Sequence, residues 1–168
     1  MKRRASLLTT VLFLTMLSFG TAAPLDVGAP APAVSALTDE GSELNLADVY
    51  SSHDYTLVYF YPKADTPGCT KQGCSLRDAY EELTDQGVAV IGVSYDTVEK
   101  QAAFKEKYHF PFTLLADTEK AVAKAFGANG MIMASRSAYL VHDGKIVYAD
   151  HKGSTTEQAN DIIQFLAK

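Results

Sequence analysis

The chain has 168 residues, of which 47% are hydrophobic, and this suits one globular domain with a buried core. Its formal net charge of −5 provides no basic stripe to displace counterions from phosphates, so we do not expect nucleic-acid binding. The only two cysteines, Cys69 and Cys74, would close almost no loop, which argues against a disulfide scaffold and favours a chemical role.

The first residues have the pattern of a signal peptide. Residues 2–4 are basic, residues 7–19 form an uncharged and mostly apolar run, and small residues follow. We therefore predict a signal peptide over residues 1–23, a mature domain over residues 24–168, and export to the periplasm. An uncleaved membrane anchor is the alternative.

The first half of the domain predicts two strands and a long helix. Residues 24–32, rich in proline, alanine and glycine, are typical of an extended arm, and residues 43–46 alternate like a short strand. The apolar, β-forming run at residues 56–61 predicts a buried central strand. Residues 67–85 have helical composition, and Gly87 follows the predicted end of that helix.

The second half alternates strands and helices before a closing hairpin and helix. Residues 88–94 and 112–116 predict two further buried strands, and Asp143-Gly144 is a strong hairpin signal between strands at residues 138–141 and 145–149. Helices are predicted at residues 97–108, 118–126 and 155–167.

The order of these elements is βαβαβαββα, and the strands are too apolar to have a face in water. This order predicts an α/β fold in which helices flank a central mixed β-sheet. The closing hairpin and helix favour a thioredoxin-like fold.

The placement of Cys69 favours a reactive thiol. It lies in the first turn of the predicted helix, where unpaired backbone N–H groups and the helix dipole stabilise a thiolate. Pro67 and Gly68 leave the approach to the sulfur uncrowded. Thr66 has two compatible roles, since its hydroxyl can cap the helix or contact the sulfur or a bound oxygen.

The spacing between the two cysteines is informative as well. Five residues of ideal helix rise about 7.5 Å and turn about 140°, which separates the two Cα atoms by about 8.6 Å. A disulfide needs about 4.4–6.8 Å between Cα atoms, so these sulfurs cannot bond while the helix is intact. Gly73 costs a helix about 1 kcal/mol relative to alanine and would ease local unwinding.

The motif resembles that of a known enzyme family. Pro62-x3-Thr66-x2-Cys69 is similar to the peroxiredoxin active-site signature, and the gap to Cys74 resembles the bacterioferritin-comigratory (PrxQ-type) subfamily, whose two cysteines lie in one chain. Further similar segments cover nearly the whole mature chain: Val27-Gly28, Ala31-Pro32, Gly92-Val93-Ser94, Phe112-Thr113-Leu114-Leu115 and Arg136.

The resemblance implies a thiol-dependent peroxidase for hydrogen peroxide and organic hydroperoxides. Cys69 would attack the peroxide and become a sulfenic acid, and Cys74 would attack that acid to form a redox-active disulfide. The implied catalytic residues are Cys69, Cys74, Thr66 and Arg136, and the implied substrate-binding residues are Pro62 and Gly68.

The resemblance also implies the partners. A thioredoxin-like dithiol protein would reduce the disulfide, and no metal, haem or flavin would be needed. We expect a monomer that has no stable membrane association after cleavage. Two departures from the family pattern are Gln72, where glutamate is common, and a segment at residues 130–135 that is shorter than usual.

Two other functions fit parts of the pattern. An exported thioredoxin-like disulfide reductase or isomerase shares the fold, but such proteins carry Cys-x-x-Cys, commonly after Trp, and a proline before the later strand. This chain has Cys-x4-Cys, no Trp, and Ser135-Arg136-Ser137 at that place. A non-enzymatic binding module would not need an activated thiol.

The histidines do not favour a Cys–His hydrolase. None lies near Cys69 in the sequence, and we predict that all four lie at the surface: His53, His109, His142 and His151. Arg77 and Asp78 follow the motif on the same helix, either as a surface pair or with Arg77 supporting the site.

Overall fold

Strand β3 (Tyr55–Phe60) carries the apolar run that leads into the cysteine motif, and it lies inside a seven-stranded sheet. The computed structural model describes residues 22–168, so the predicted signal peptide lies outside the described part except for its last two residues. In that part, no helix is long and apolar enough to cross a bilayer. The other elements, in chain order, are β1 (Ser35–Thr38), β2 (Glu43–Asn45), α1 (Leu46–Ser52), α2 (Pro67–Asp78), α3 (Tyr80–Asp85), β4 (Val88–Ser94), α4 (Val98–Tyr108), β5 (Thr113–Ala116), α5 (Ala121–Phe126), β6 (Ser137–His142), β7 (Lys145–Asp150) and α6 (Gln158–Leu166).

The sheet is mixed, with strand order β2-β1-β5-β4-β3-β6-β7. Strands β3, β4 and β5 are parallel, whereas β6 joins β3, and β1 joins β5, in antiparallel pairs. The closing turn has positive φ at both Asp143 (48°) and Gly144 (68°), as a two-residue type I′ hairpin requires. The predicted thioredoxin-like α/β fold is confirmed.

Strand β3 is buried on both faces because its side chains alternate between two apolar cores. Leu57 and Tyr59 face the core that contains Cys69 and is covered by α2, α3, α4 and α6. Val58 and Phe60 face the second core, which is covered by α1 and α5. The cysteine helix α2 therefore lies on the face of the sheet to which Leu57 and Tyr59 point.

Strand pairing brings Arg136 to the same end of the sheet. In the antiparallel pair of β3 and β6, Ser137 lies opposite Phe60, the last residue of β3. Arg136 immediately precedes β6, so it lies beside the point where the chain leaves β3 through Pro62 and enters α2. Two segments that are widely separated in sequence thus meet at this end of the sheet.

The structure differs from the predicted elements in three places. The helix predicted over residues 67–85 is interrupted at Ala79, which has φ −103° and ψ 13°, and α3 then packs against β4 with Leu83 buried. Strand β1 and helix α1 were not predicted, because their short segments lack a clear hydrophobic period.

Candidate active site

Cys69 is the third residue of α2, and only 1% of it is exposed. Pro67 begins the helix, where the N–H that proline lacks would have no intrahelical acceptor, and the first helical bond runs from Thr70 N–H to Thr66 O over 2.8 Å. The sulfur therefore lies at the positive end of the helix dipole, which favours a negative charge there.

Arg136 supplies a cation to this sulfur. Its Nη2 donates a hydrogen bond to Cys69 Sγ over 3.3 Å, and its Nη1 donates to Gln72 Oε1 over 2.6 Å. A charged donor strengthens a hydrogen bond and favours the thiolate form of its acceptor. The structure thus brings together Cys69 and Arg136, two of the residues predicted for the site.

Two glycines make room for the Arg136 side chain. A Cβ on Gly68, a residue predicted to bind substrate, would lie 3.1 Å from Arg136 Nη2. A Cβ on Gly153 would lie 2.3 Å from Arg136 Cγ, and Gly153 also has a positive φ of 58°. The carboxylate of Asp150 holds this turn by accepting bonds from the N–H groups of Gly153 and Ser154, each over 3.0 Å. The glycines allow Arg136 to pass closely between α2 and the turn after β7.

Thr66 stands at the N-cap position with extended backbone dihedrals, but its side chain accepts no capping bond from the helix. Its Oγ1 instead donates to the carbonyl of Lys63 over 2.9 Å, which ties together the loop between β3 and α2. The hydroxyl oxygen keeps free lone pairs. Pro62, half-buried, begins this loop directly after Tyr61.

Cys74 lies in the same continuous helix as Cys69, and both thiols are free. It is half-buried and packs against the core that contains Cys69. Between them, Gly73 faces an aromatic ring, since a Cβ there would lie 2.6 Å from Phe110 Cζ. The structure is therefore that of the dithiol form, with α2 closely packed on the aromatic core.

Two buried tyrosines share this core but do not act as bases for the sulfur. Burial raises the pKa of Tyr59 and the pKa of Tyr61 well above the ordinary tyrosine value, so both phenols stay protonated. Tyr61 donates to Gln101 Oε1, whereas the Tyr59 hydroxyl has no partner among the described residues. Arg136 and the N-terminus of α2 are the groups that place positive charge next to the Cys69 sulfur.

The other candidates lie away from the sulfur. Arg77 pairs with Asp78 and donates to the carbonyl of Tyr108 over 2.8 Å, so it ties α2 to the end of α4. Three of the histidines are exposed and one is half-exposed, and no hydrogen bond joins any of them to Cys69 within residues 22–168: His53, His109, His142 and His151.

Sequence reasoning missed three residues that shape the site. Gly153 gave no signal, because its contact with Arg136 depends on how the turn after β7 folds back. Gln72 departs from the family pattern, which gives no information on its hydrogen-bond partners, and no motif marks Gln158. Its amide accepts a bond from Gln72 Nε2 over 2.9 Å, across 86 positions of sequence.

The chain is similar in sequence to known proteins. The sequence model of the AhpC/TSA family matches residues 27–149. The protein named putative peroxiredoxin bcp from Coxiella burnetii is 45% identical over 103 residues, which cover 61% of this chain and 67% of the relative. Peroxiredoxin Bcp from Escherichia coli is 47% identical over 107 residues, which cover 64% and 67%.

Solved structures show the same fold. Peroxidoxin BcpB from Mycobacterium tuberculosis superposes with a TM-score of 0.79 at 28% identity, covering 84% of this chain and 96% of that chain. The bacterioferritin comigratory protein from Xanthomonas campestris gives 0.76 at 26% identity, covering 84% and 98%. With its free cysteine pair in one helix and a guanidinium on the first sulfur, this chain belongs to the AhpC/TSA family, as a peroxiredoxin of the bacterioferritin-comigratory (PrxQ) type.

Proposed function

We propose that this protein is an exported peroxidase that reduces peroxides at Cys69 and closes each cycle through a Cys69–Cys74 disulfide. The observation that carries the proposal is the 3.3 Å contact between Arg136 Nη2 and Cys69 Sγ at the start of α2. The Arg136 guanidinium and the N-terminus of α2 both favour the thiolate, which is the nucleophilic form of cysteine.

The first step oxidises Cys69. Its thiolate attacks the terminal oxygen of the peroxide, and the S–O bond forms as the O–O bond breaks. The departing alkoxide or hydroxide takes a proton and leaves as alcohol or water. Arg136 and the first-turn N–H groups of α2 are the donors that support this charge transfer. The Thr66 hydroxyl, whose proton bonds to the Lys63 carbonyl, is the acceptor for the O–H of the peroxide.

The second step forms the disulfide. The Cys74 thiolate attacks the sulfenic sulfur of Cys69, and hydroxide leaves as water after protonation. An external dithiol then reduces the disulfide by thiol–disulfide exchange and returns both thiols. We propose a thioredoxin-like protein as this dithiol, and a monomer as the working form of the peroxidase.

We propose organic hydroperoxides as substrates besides hydrogen peroxide. The structure of the Xanthomonas campestris protein was described in connection with alkyl peroxide reduction by that protein. In this chain, three exposed apolar side chains precede Arg136 closely, at Met131, Ile132 and Met133. We propose that this apolar segment, which precedes Arg136 by three to five residues in the sequence, receives the hydrocarbon part of such a peroxide.

Peroxide consumption with dithiothreitol tests the enzymatic part of the proposal. The wild-type protein is expected to consume hydrogen peroxide and cumene hydroperoxide catalytically, and Cys69→Ser is expected to consume neither. A Cys69→Ser protein that still turns over would contradict the proposal, and so would a wild-type protein that reduces disulfides but leaves peroxide untouched.

N-terminal sequencing of the protein from a periplasmic fraction tests export separately. A mature chain that begins after Ala22 or Ala23 is the expected result. Full-length protein that stays with the membranes would show instead that the leader is retained as an anchor.

A further inference from the structure

Two buried amides stand behind Arg136 and connect it to the C-terminal helix. Gln72 of α2 and Gln158, the first residue of α6, are both fully buried. Gln72 Oε1 accepts from Arg136 Nη1 over 2.6 Å, and Gln72 Nε2 donates to Gln158 Oε1 over 2.9 Å. Together with the bond from Arg136 Nη2 to Cys69 Sγ, these contacts form one chain from α6 to the reactive sulfur.

The chemistry of the guanidinium fixes which atoms donate and which accept in this series of hydrogen bonds. Arginine has five N–H donors and no acceptor, so the Gln72 atom that faces it is the carbonyl oxygen. The amide nitrogen of Gln72 then faces Gln158, which must present its own oxygen. The remaining Gln158 Nε2 is buried without a hydrogen-bond partner in the described part of the chain. Leaving a buried amide donor unpaired is unfavourable, so the arrangement has a cost that a simple packing role would not explain.

The two residues that stand behind Arg136, Gln72 and Gln158, are uncharged. Among the ion pairs of residues 22–168, none includes Arg136, so no carboxylate offsets its positive charge. A glutamate at position 72 would place a negative charge within hydrogen-bond distance of the guanidinium. Gln72 instead holds the guanidinium by one neutral acceptor and leaves its charge directed at the sulfur.

We propose that Gln158 is a positioning residue for peroxide reduction, acting through Gln72 to hold the Arg136 guanidinium against Cys69. The inference rests on the proposed function, since it assigns α6 a part in the same reaction. Without the oxygen of Gln158, the Gln72 amide loses its only side-chain acceptor in this chain of contacts and can turn away from Arg136. The guanidinium then has one fewer fixed contact and spends less time on the sulfur.

The variant Gln158→Met tests this, because methionine keeps the length and bulk of the side chain but lacks the acceptor. We expect the second-order rate of Cys69 oxidation by hydrogen peroxide to fall about tenfold, as for loss of one hydrogen bond. The chain has no tryptophan, so competition with horseradish peroxidase for peroxide is a suitable measurement.

Two controls separate positioning from general loosening of α6. Gln164→Met makes the same chemical change at an exposed residue of α6 whose side chain bonds, within residues 22–168, to Asn160 alone, and it should leave the rate unchanged. Ser75→Ala removes a second tie between the helices, the bond from Ala159 N–H to Ser75 Oγ over 3.1 Å, without touching the Arg136 contacts. It should also leave the rate of peroxide attack unchanged.

The decisive comparison is a double-mutant cycle with Arg136→Met. If Gln158 acts through the guanidinium, Gln158→Met should slow the wild-type protein but have no further effect when Arg136 is already absent. Equal slowing in both backgrounds, or a wild-type rate for Gln158→Met, would overturn the positioning role. A wild-type protein that does not react with peroxide would contradict the proposed function itself, which is a separate outcome.

Discussion

The Nη2 atom of Arg136 lies 3.3 Å from the sulfur of Cys69, although 67 positions separate the two residues in sequence. The contact follows from the fold, because the pairing of Ser137 with Phe60 places Arg136 beside the loop that leads into α2. The cation and the helix N-terminus then act on the same sulfur. Removing the cation alone is therefore an informative experiment.

Replacing Arg136 by alanine should slow the oxidation of Cys69 by hydrogen peroxide by about a hundredfold or more, which is the scale for loss of one charge-stabilising donor. The second-order rate measured by competition for peroxide checks this. Arg77→Ala is the matched control, because Arg77 contacts Asp78 and the Tyr108 carbonyl and not the sulfur. Unchanged kinetics in Arg136→Ala would remove Arg136 from the site.

Gly153→Ala should disturb the Arg136 side chain from the turn after β7. Its Cβ would lie 2.3 Å from Arg136 Cγ, and the positive φ of 58° adds a backbone cost of about 1–2 kcal/mol. Gly144→Ala is the matched control, since Gly144 also has a positive φ, 68°, but its Cβ would meet nothing within 4 Å. Urea unfolding should show destabilisation in both variants, whereas peroxide reduction should slow only in Gly153→Ala. Equal activity in the two variants would mean that Arg136 adjusts to the added methyl group.

Gly73→Ala sets helix propensity against packing. Alanine favours a helix over glycine by about 1 kcal/mol. Its Cβ would lie 2.6 Å from Phe110 Cζ, and that ring is held by Phe112 at 5.3 Å and by Phe104 at 4.9 Å between centroids. We expect the clash to dominate and to lower the stability of the dithiol form by about 1–3 kcal/mol in urea unfolding.

A second background checks the physical reason for that loss. In Phe110→Leu, where the ring is absent, Gly73→Ala should be neutral or stabilising. A stability gain from Gly73→Ala in the wild-type background would show that the ring moves away and that helix propensity dominates.

Cys74→Ser separates the two chemical steps. Peroxide should still oxidise Cys69 once and rapidly, because Cys74 takes no part in that step. Turnover with thioredoxin should stop, since no intramolecular disulfide forms for the reductant to attack. Mass spectrometry after one equivalent of peroxide should detect the sulfenic acid. Normal turnover of this variant with thioredoxin would rule out Cys74 as the residue that attacks the sulfenic acid of Cys69.

The parts of the fold that were predictable are those with a local physical signal. The run in β3 is mostly apolar because both faces of the strand are covered, and Pro67 marks the start of α2 because proline suits the first helical position. The hairpin at Asp143-Gly144 has the positive φ angles that this residue pair favours. These features depend on neighbours within a few residues.

The parts that were missed depend on contacts between distant segments. Gln158 bonds to Gln72 across 86 positions, and the interruption at Ala79 is accompanied by the packing of α3 on β4. Gly73 looked like a weak point of a helix, whereas the structure shows that it also makes room for Phe110. Helix propensity and motif spacing carry no information on such partners, so only the folded chain reveals them.

The central claim is that the two sulfurs cannot bond across an intact α2. Ideal helix geometry puts the Cα atoms of Cys69 and Cys74 about 8.6 Å apart, beyond the roughly 4.4–6.8 Å that a disulfide spans. In the dithiol form, both residues lie inside the continuous helix Pro67–Asp78. Formation of the disulfide therefore requires part of α2 to unwind.

Amide hydrogen exchange, compared between the reduced and the peroxide-oxidised protein, measures this most directly. We predict that exchange over residues 70–76 rises on oxidation while β3 (Tyr55–Phe60) stays protected, and that peroxide-treated Cys74→Ser shows no such rise. Equal protection of residues 70–76 in the reduced and disulfide forms would contradict the account, because the bond would then have formed without opening the helix.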